Sequence, residues 1–142
     1  MNAPPRPWQL HPQLAEDTHP VASWRLCELR LMDDANHPWL ILVPRVNDAT
    51  ELTDLNADAQ ALLMREIDRA ARVLGVFSPH KLNVAALGNL VPQLHVHVIA
   101  RYQDDIAWPR PVWGMAAAKP YPPEALVERI RALRARIETE TA

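Results

Sequence analysis

Over residues 24–32 the chain reads WRLCELRLM, with Cys27, Leu29 and Leu31 alternating against Glu28 and Arg30. Successive side chains of a strand point to opposite faces, so this segment predicts a half-buried strand. Residues 33–38 (DDANHP) have turn composition. Residues 39–43 (WLILV) are a nearly continuous apolar run closed by Pro44, and the two strands form an antiparallel hairpin. Over residues 56–74 the period changes. Ala59, Leu62, Leu63, Ile67, Ala70, Ala71 and Leu74 recur at steps of three and four, one stripe of a helix with Asn56 as N-cap and Gly75 as stop. Residues 81–87 and 93–101 predict two further strands around a tight connection at 88–92. A second helix starts near Pro123 and buries Leu126, Ile130, Leu133 and Ile137.

Hairpins separated by helices predict an α+β fold: an antiparallel sheet of about five strands with two main helices against one face. The 142 residues suffice for one domain with its own core. Fourteen prolines concentrate in residues 4–20 and 109–123. That sets residues 1–20 apart as an extended arm and 21–142 as a single domain, with a Trp/Pro-rich loop at 102–123 and a C-terminal helix.

A formal charge of −2 gives no general attraction to nucleic acid. The charges on the last helix alternate in sign, as on a solvated face. No apolar run approaches the roughly 20 residues of a membrane span, and residues 1–8 lack a signal-peptide core. With the lone cysteine Cys27, these features predict a cytoplasmic protein without disulfides. The three glycines, Gly75, Gly88 and Gly114, lie too far apart for a P-loop or dinucleotide fingerprint.

The chemistry concentrates in residues 92–100, PQLHVHVIA. Alternation puts Gln93, His95 and His97 on one face and Leu94, Val96 and Val98 on the other, with the two imidazoles rooted roughly 7 Å apart. Three uses of such a pair are open. The rings can be satisfied structural groups. They can bind zinc, with a further ligand from His37, His80 or Glu28, although no spacing ties these to the pair. Or an imidazole with Nδ1–H held by a carbonyl can attack phosphorus through its Nε2 lone pair while neighbouring donors stabilise the phosphoryl oxygens.

The stretch resembles the histidine triad (HIT) signature, His-φ-His-φ-His-φ-φ with φ hydrophobic, with Gln93 in the place of the first histidine. The likeness extends over most of residues 22–138: a cysteine-bearing strand, a strand ending in Val-Pro-Arg, a long helix, a strand, a glycine turn and the motif strand. The resemblance implies a homodimeric α+β domain that binds nucleotides and hydrolyses or transfers at the α-phosphate of a phosphoramidate or dinucleoside polyphosphate. It makes His95 the nucleophile and His97 a phosphate contact, with Gln93, Gly88 and Asn89 binding substrate. Asp33 is placed near the ribose. No cofactor or metal is implied.

Three positions depart from the family pattern. Gln93 can donate a hydrogen bond but cannot pass a proton. Trp39 stands where many members have a histidine, and Asn89-Leu90 where the turn often has Gln-Ser or Gln-Thr. These changes predict a slower or differently selective enzyme, with a nucleotide-binding protein that has lost catalysis as the alternative. Trp108 and Trp113 are expected to anchor their loop, and Arg45 to be an exposed strand-end charge.

Overall fold

The computed structural model describes residues 3, 4 and 6–140; positions 1, 2, 5, 141 and 142 lie outside the described residues. Five antiparallel strands form one sheet in the order β1-β2-β3-β5-β4: β1 (Thr18–Ser23), β2 (Cys27–Met32), β3 (Trp39–Pro44), β4 (Lys81–Ala85) and β5 (Val96–Arg101). The helices are α1 (Pro12–Asp17), α2 (Ala57–Leu74) and α3 (Pro123–Glu140). The expected α+β architecture is therefore present. Among the described residues, no helix is long and apolar enough to cross a membrane.

Alternation in β2 falls as its sequence predicts, with Cys27, Leu29 and Leu31 wholly buried. They join Leu40, Leu42, Leu94, Val96 and Val98 in a core covered by Leu63, Ala70, Val73 and Leu74 of α2 and Leu133 of α3. The Asn56 side chain caps α2 by accepting from the Ala59 N–H at 2.9 Å. Glu66 lies on the buried stripe of α2, which its charge does not predict. Its carboxylate accepts the Leu26 and Cys27 N–H groups, each at 2.9 Å, tying the helix to the start of β2. Burial and this carboxylate push the Cys27 thiol well above its ordinary range, so Cys27 is an inert core residue.

The arm departs from an extended reading. Proline in the first turn and the His11 side chain, accepting from Gln13 N–H at 3.0 Å, open α1. Residues 18–23 then form an edge strand on β2. Neither PQLAED nor THPVAS carries a clear hydrophobic period, and Pro20 argues against a central strand. It is tolerated because β1 lies at the edge, with its register shift between Pro20 and Ala22. The arm covers the sheet face opposite the helices, where Trp39, Ile41, Val43 and Ile99 pack with Leu14, Val112, Trp8 and Leu10.

The Trp/Pro-rich loop is pinned by a buried ion pair. Arg101, 1% exposed, donates to Asp105 at 2.8 and 3.1 Å, to Asn83 Oδ1 at 2.7 Å and to the Arg110 carbonyl at 2.7 Å. Asp105 also accepts the N–H groups of Tyr102, Ala107 and Trp108. Burial opposes ionisation of this carboxyl. Arg101 and the three N–H groups outweigh it and hold the group well below the ordinary carboxylate range. Asp105→Ala leaves the guanidinium buried without its counterion, and should destabilise the fold by roughly 3–5 kcal/mol. Urea unfolding measures this; a loss under about 1 kcal/mol would show that the pair does not hold the loop.

Candidate functional site

β5 begins at Val96, so His95 and Gln93 lie in the irregular lead-in and only His97 sits in the ladder, opposite Ile41 of β3. The alternation nevertheless persists through the lead-in. Leu94 joins the core beneath the helices, while His95 and His97 meet edge to face with ring centroids 5.0 Å apart. They are 7% and 4% exposed.

Hydrogen bonds define the protonation of both rings. His95 Nδ1 lies 2.7 Å from the Gln93 carbonyl oxygen. A carbonyl only accepts, so Nδ1 carries the proton and Nε2 keeps a lone pair. His97 has the opposite arrangement. Its Nδ1 accepts from the Trp39 indole N–H at 3.0 Å, so in the neutral ring the proton is on Nε2. Burial, with a smaller contribution from His95, lowers the His97 pKa to about 4. One imidazole thus has a free lone pair and its neighbour a free N–H.

Both rings line a cavity of about 390 Å³ whose walls include Leu14, Asp17, Met32, Trp113 and the Gly88–Leu90 turn. Gly88 has φ +66°, a backbone conformation that glycine adopts at little cost. Leu90, at 96% exposed, lies at the rim. A second hollow, of about 490 Å³, shares Asp17, Met32 and Trp113 with the first and adds Asp33, Asp34 and Trp39. Asp33 lines this second hollow. Its carboxylate accepts the Tyr121 N–H at 3.0 Å and lies 3.3 Å from His19 Nε2.

Gln93 is arranged differently from the expectation of a phosphate contact. Its Oε1 accepts the His11 N–H at 2.8 Å and its Nε2 donates to the Gln9 carbonyl at 2.9 Å. The amide is committed to the arm, and Gln93 does not line the histidine cavity. It borders a separate hollow of about 460 Å³ between the arm and residues 46–50, which lacks both His95 and His97.

Other positions meet, extend or correct their sequence readings. Trp113 stands edge-on to His97 at 5.1 Å and to Trp39 at 5.7 Å, forming a wall of the site as well as holding its loop. Trp108 packs against His80 and Arg101 as an anchor. Arg45 joins Glu28 at 3.0 Å and binds Ser23 and the carbonyls of Trp24 and Arg25, so it is a structural tie. On α3, Arg129 lies over Phe77 and Arg134 donates to the Val21 carbonyl at 3.0 Å, so that face is only partly solvated. Among the described residues, no group of three or more His, Cys, Asp or Glu is placed to hold a metal ion. Sequence reasoning missed Leu14 and Asp17 because the arm gives no signal of its docking position. The role of Trp39 was accessible in principle, since alternation puts Trp39 and Ile41 on one face of β3, and His97, paired with Ile41, lies on the same face of the sheet.

A five-stranded antiparallel sheet with α2 and α3 on one face, and two oppositely polarised imidazoles at the start of its fourth-placed strand, define a small α+β histidine-motif domain. The HIT domain model matches residues 14–104, and the chain belongs to the HIT family. A histidine triad protein from Bradyrhizobium japonicum is 49% identical, with a TM-score of 0.90, covering 93% of this chain and 99% of that one. One from Marinobacter aquaeolei VT8 is 44% identical, with a TM-score of 0.91 and coverages of 94% and 98%. One from Sinorhizobium meliloti 1021 is 44% identical, with a TM-score of 0.85 and coverages of 93% and 96%. Comparison with curated proteins gives no match. Family membership supports nucleotide binding and hydrolase or transferase chemistry in general.

The buried His97 also couples stability to pH. Its pKa is about 4 in the folded chain, against an ordinary value of 6.5. Between these values the unfolded chain binds the extra proton, so stability is fully present above about 6.5 and falls as the pH drops towards about 4. His37, also lowered mainly by burial, acts in the same direction. The His97 contribution is on the order of 3 kcal/mol at most. His97→Gln should flatten the dependence of unfolding free energy on pH across this window, and a slope identical to wild type would contradict the assignment.

Proposed function

We propose that the chain hydrolyses or transfers a nucleotidyl group at the α-phosphate of a nucleoside phosphoramidate or dinucleoside polyphosphate, through a covalent nucleotidyl-His95 intermediate. The observation that carries this reading is the His95 hydrogen bond to the Gln93 carbonyl, which leaves Nε2 as the ring's free lone pair. Nε2 forms a bond to phosphorus while the bond to the leaving nitrogen or oxygen breaks, its electron pair departing with the leaving group. Water then attacks phosphorus, the P–Nε2 bond returns its pair to the imidazole, and nucleoside monophosphate leaves with one proton released to solvent.

His97 Nε2–H and the Gly88-Asn89 turn serve as donors to the phosphoryl oxygens. Gln93 acts through its backbone carbonyl. An amine leaving group takes its proton from water, whereas a polyphosphate departs as an anion. The neighbouring hollow, with Asp33, takes the nucleoside. No cofactor is needed, and the reduced, buried Cys27 suits a cytoplasmic setting.

Incubation with adenosine, guanosine and uridine phosphoramidates or dinucleoside polyphosphates, followed by intact-mass measurement, should give a nucleotidyl adduct and turnover. His95→Ala should abolish both, lowering turnover by at least about 10³-fold. Tight nucleotide binding with neither adduct nor turnover on any substrate would replace this reading with that of a binding protein.

The same proposal includes a homodimer formed at β4. That strand ends the sheet order, and Val84, Leu87 and Leu90 are exposed along it and the following turn. An unpaired apolar edge favours strand addition by a second copy. Light scattering should give twice the chain mass of 16.1 kDa, shifting towards the monomer in Val84→Lys. A monomeric wild type would remove this part of the proposal.

A further inference from the structure

We infer that Trp39 is a positioning residue: its indole N–H, 3.0 Å from His97 Nδ1, locks His97 as a neutral ring whose Nε2–H is a standing donor to the phosphoryl group. The inference rests on the proposed reaction for its effect on turnover, while the state of the ring is measurable without substrate.

An indole N–H donates, never accepts, and does not titrate in the physiological range. A neutral imidazole has one N–H and one lone pair. Facing a donor-only partner at Nδ1, His97 must place its lone pair there and its proton on Nε2. A histidine at position 39 would not impose this, because it could donate or accept and could itself gain a proton. The position that departs from the family pattern therefore carries a more restrictive partner.

Packing fixes the contact. Trp39 is buried on β3, paired with Ile99, two residues beyond His97 on β5, a diagonal that suits a long aromatic side chain. Its ring lies 5.6 Å from His97 and 5.7 Å from Trp113, and His37 closes the far side at 6.4 Å. Of the titratable groups around His97, His95 is in ring contact and Asp17 shares the cavity wall. His37 lies behind Trp39, with Asp105 3.7 Å from its Nδ1. Trp39, Ile41 and Trp113 contribute no charge. His97 should therefore keep its donor through mildly acid conditions.

Nitrogen-15 NMR of histidine-labelled full chain between about pH 5 and 8 tests this directly. Wild-type His97 should show a protonated Nε2 and an unprotonated Nδ1 across that range, with His95 in the opposite tautomer. Trp39→Phe keeps an aromatic ring but removes the donor. It should give a tautomer mixture at His97 and lower kcat by about tenfold, with KM changed less than about twofold. A wild-type His97 protonated at Nδ1, or titrating near an ordinary imidazole, overturns the inference even if the variant fails to fold. So does a folded Trp39→Phe that keeps the wild-type tautomer. If the tautomers are as expected but no nucleotidyl substrate reacts, the proposed function fails and the lock stands.

Discussion

The structure depends on burial of both faces of the β3–β5 pair. Every residue of both strands is buried, so each strand must be apolar towards the helices and compatible with a second cover on the other side. An antiparallel sheet with one wet face would leave His97 hydrated and freely titrating. Here α1, the arm and the loop ending at Trp113 cover that face. The desolvation that follows distinguishes a buried, neutral His97 from a surface imidazole. The cover is itself secured at two polar points: the Arg101–Asp105 pair beneath the loop and the Gln93 amide beneath the arm.

The parts legible in the sequence are those with a period or an unbroken apolar run. The alternation of Cys27, Leu29 and Leu31, the stripe of α2 and the apolar run of β3 each identify an element. Asn56 marks the start of α2 by a local hydrogen bond that depends on nothing distant. The parts that were not legible are set by tertiary contacts. Six residues of α1 and six of β1 carry no period, and nothing in their composition says that they cover a sheet. Glu66 reads as solvent-facing until its two backbone partners on the β2 lead-in are known. The same holds within the site: alternation placed His95 and His97 on one face, but Asp17, Leu14 and Trp113 reach the cavity from segments whose paths the sequence does not specify.

Gln93 shows how a residue's type and its location can point in different directions. An amide offers an acceptor and donors in a planar arrangement, which suits a phosphate contact and equally suits a passing backbone. The segment from Gln9 to His11 takes both functions, one carbonyl and one N–H, much as a neighbouring strand would. A histidine there could not satisfy the same carbonyl and N–H through one planar amide. The residue also keeps its main-chain role, because the carbonyl that orients His95 belongs to whichever amino acid occupies position 93. The side chain can therefore serve the arm without disturbing the hydrogen bond that sets the His95 tautomer.

The cavity's electrostatics favour fixed dipoles over counterions. Among the described residues lining it, no lysine or arginine is present, and Asp17 is the sole carboxylate. Under the proposed reaction, charge developing on phosphoryl oxygens there would be met by N–H groups: the His97 ring and the backbone of the Gly88 turn. Such donors act at full effect only when held in place and desolvated, since each is worth far less in water. A salt-bridged site can tolerate motion because a flexible cation follows the charge. A site built on dipoles cannot, and here the His97 ring packs against both Trp39 and Trp113 while the turn opens on a glycine at φ +66°.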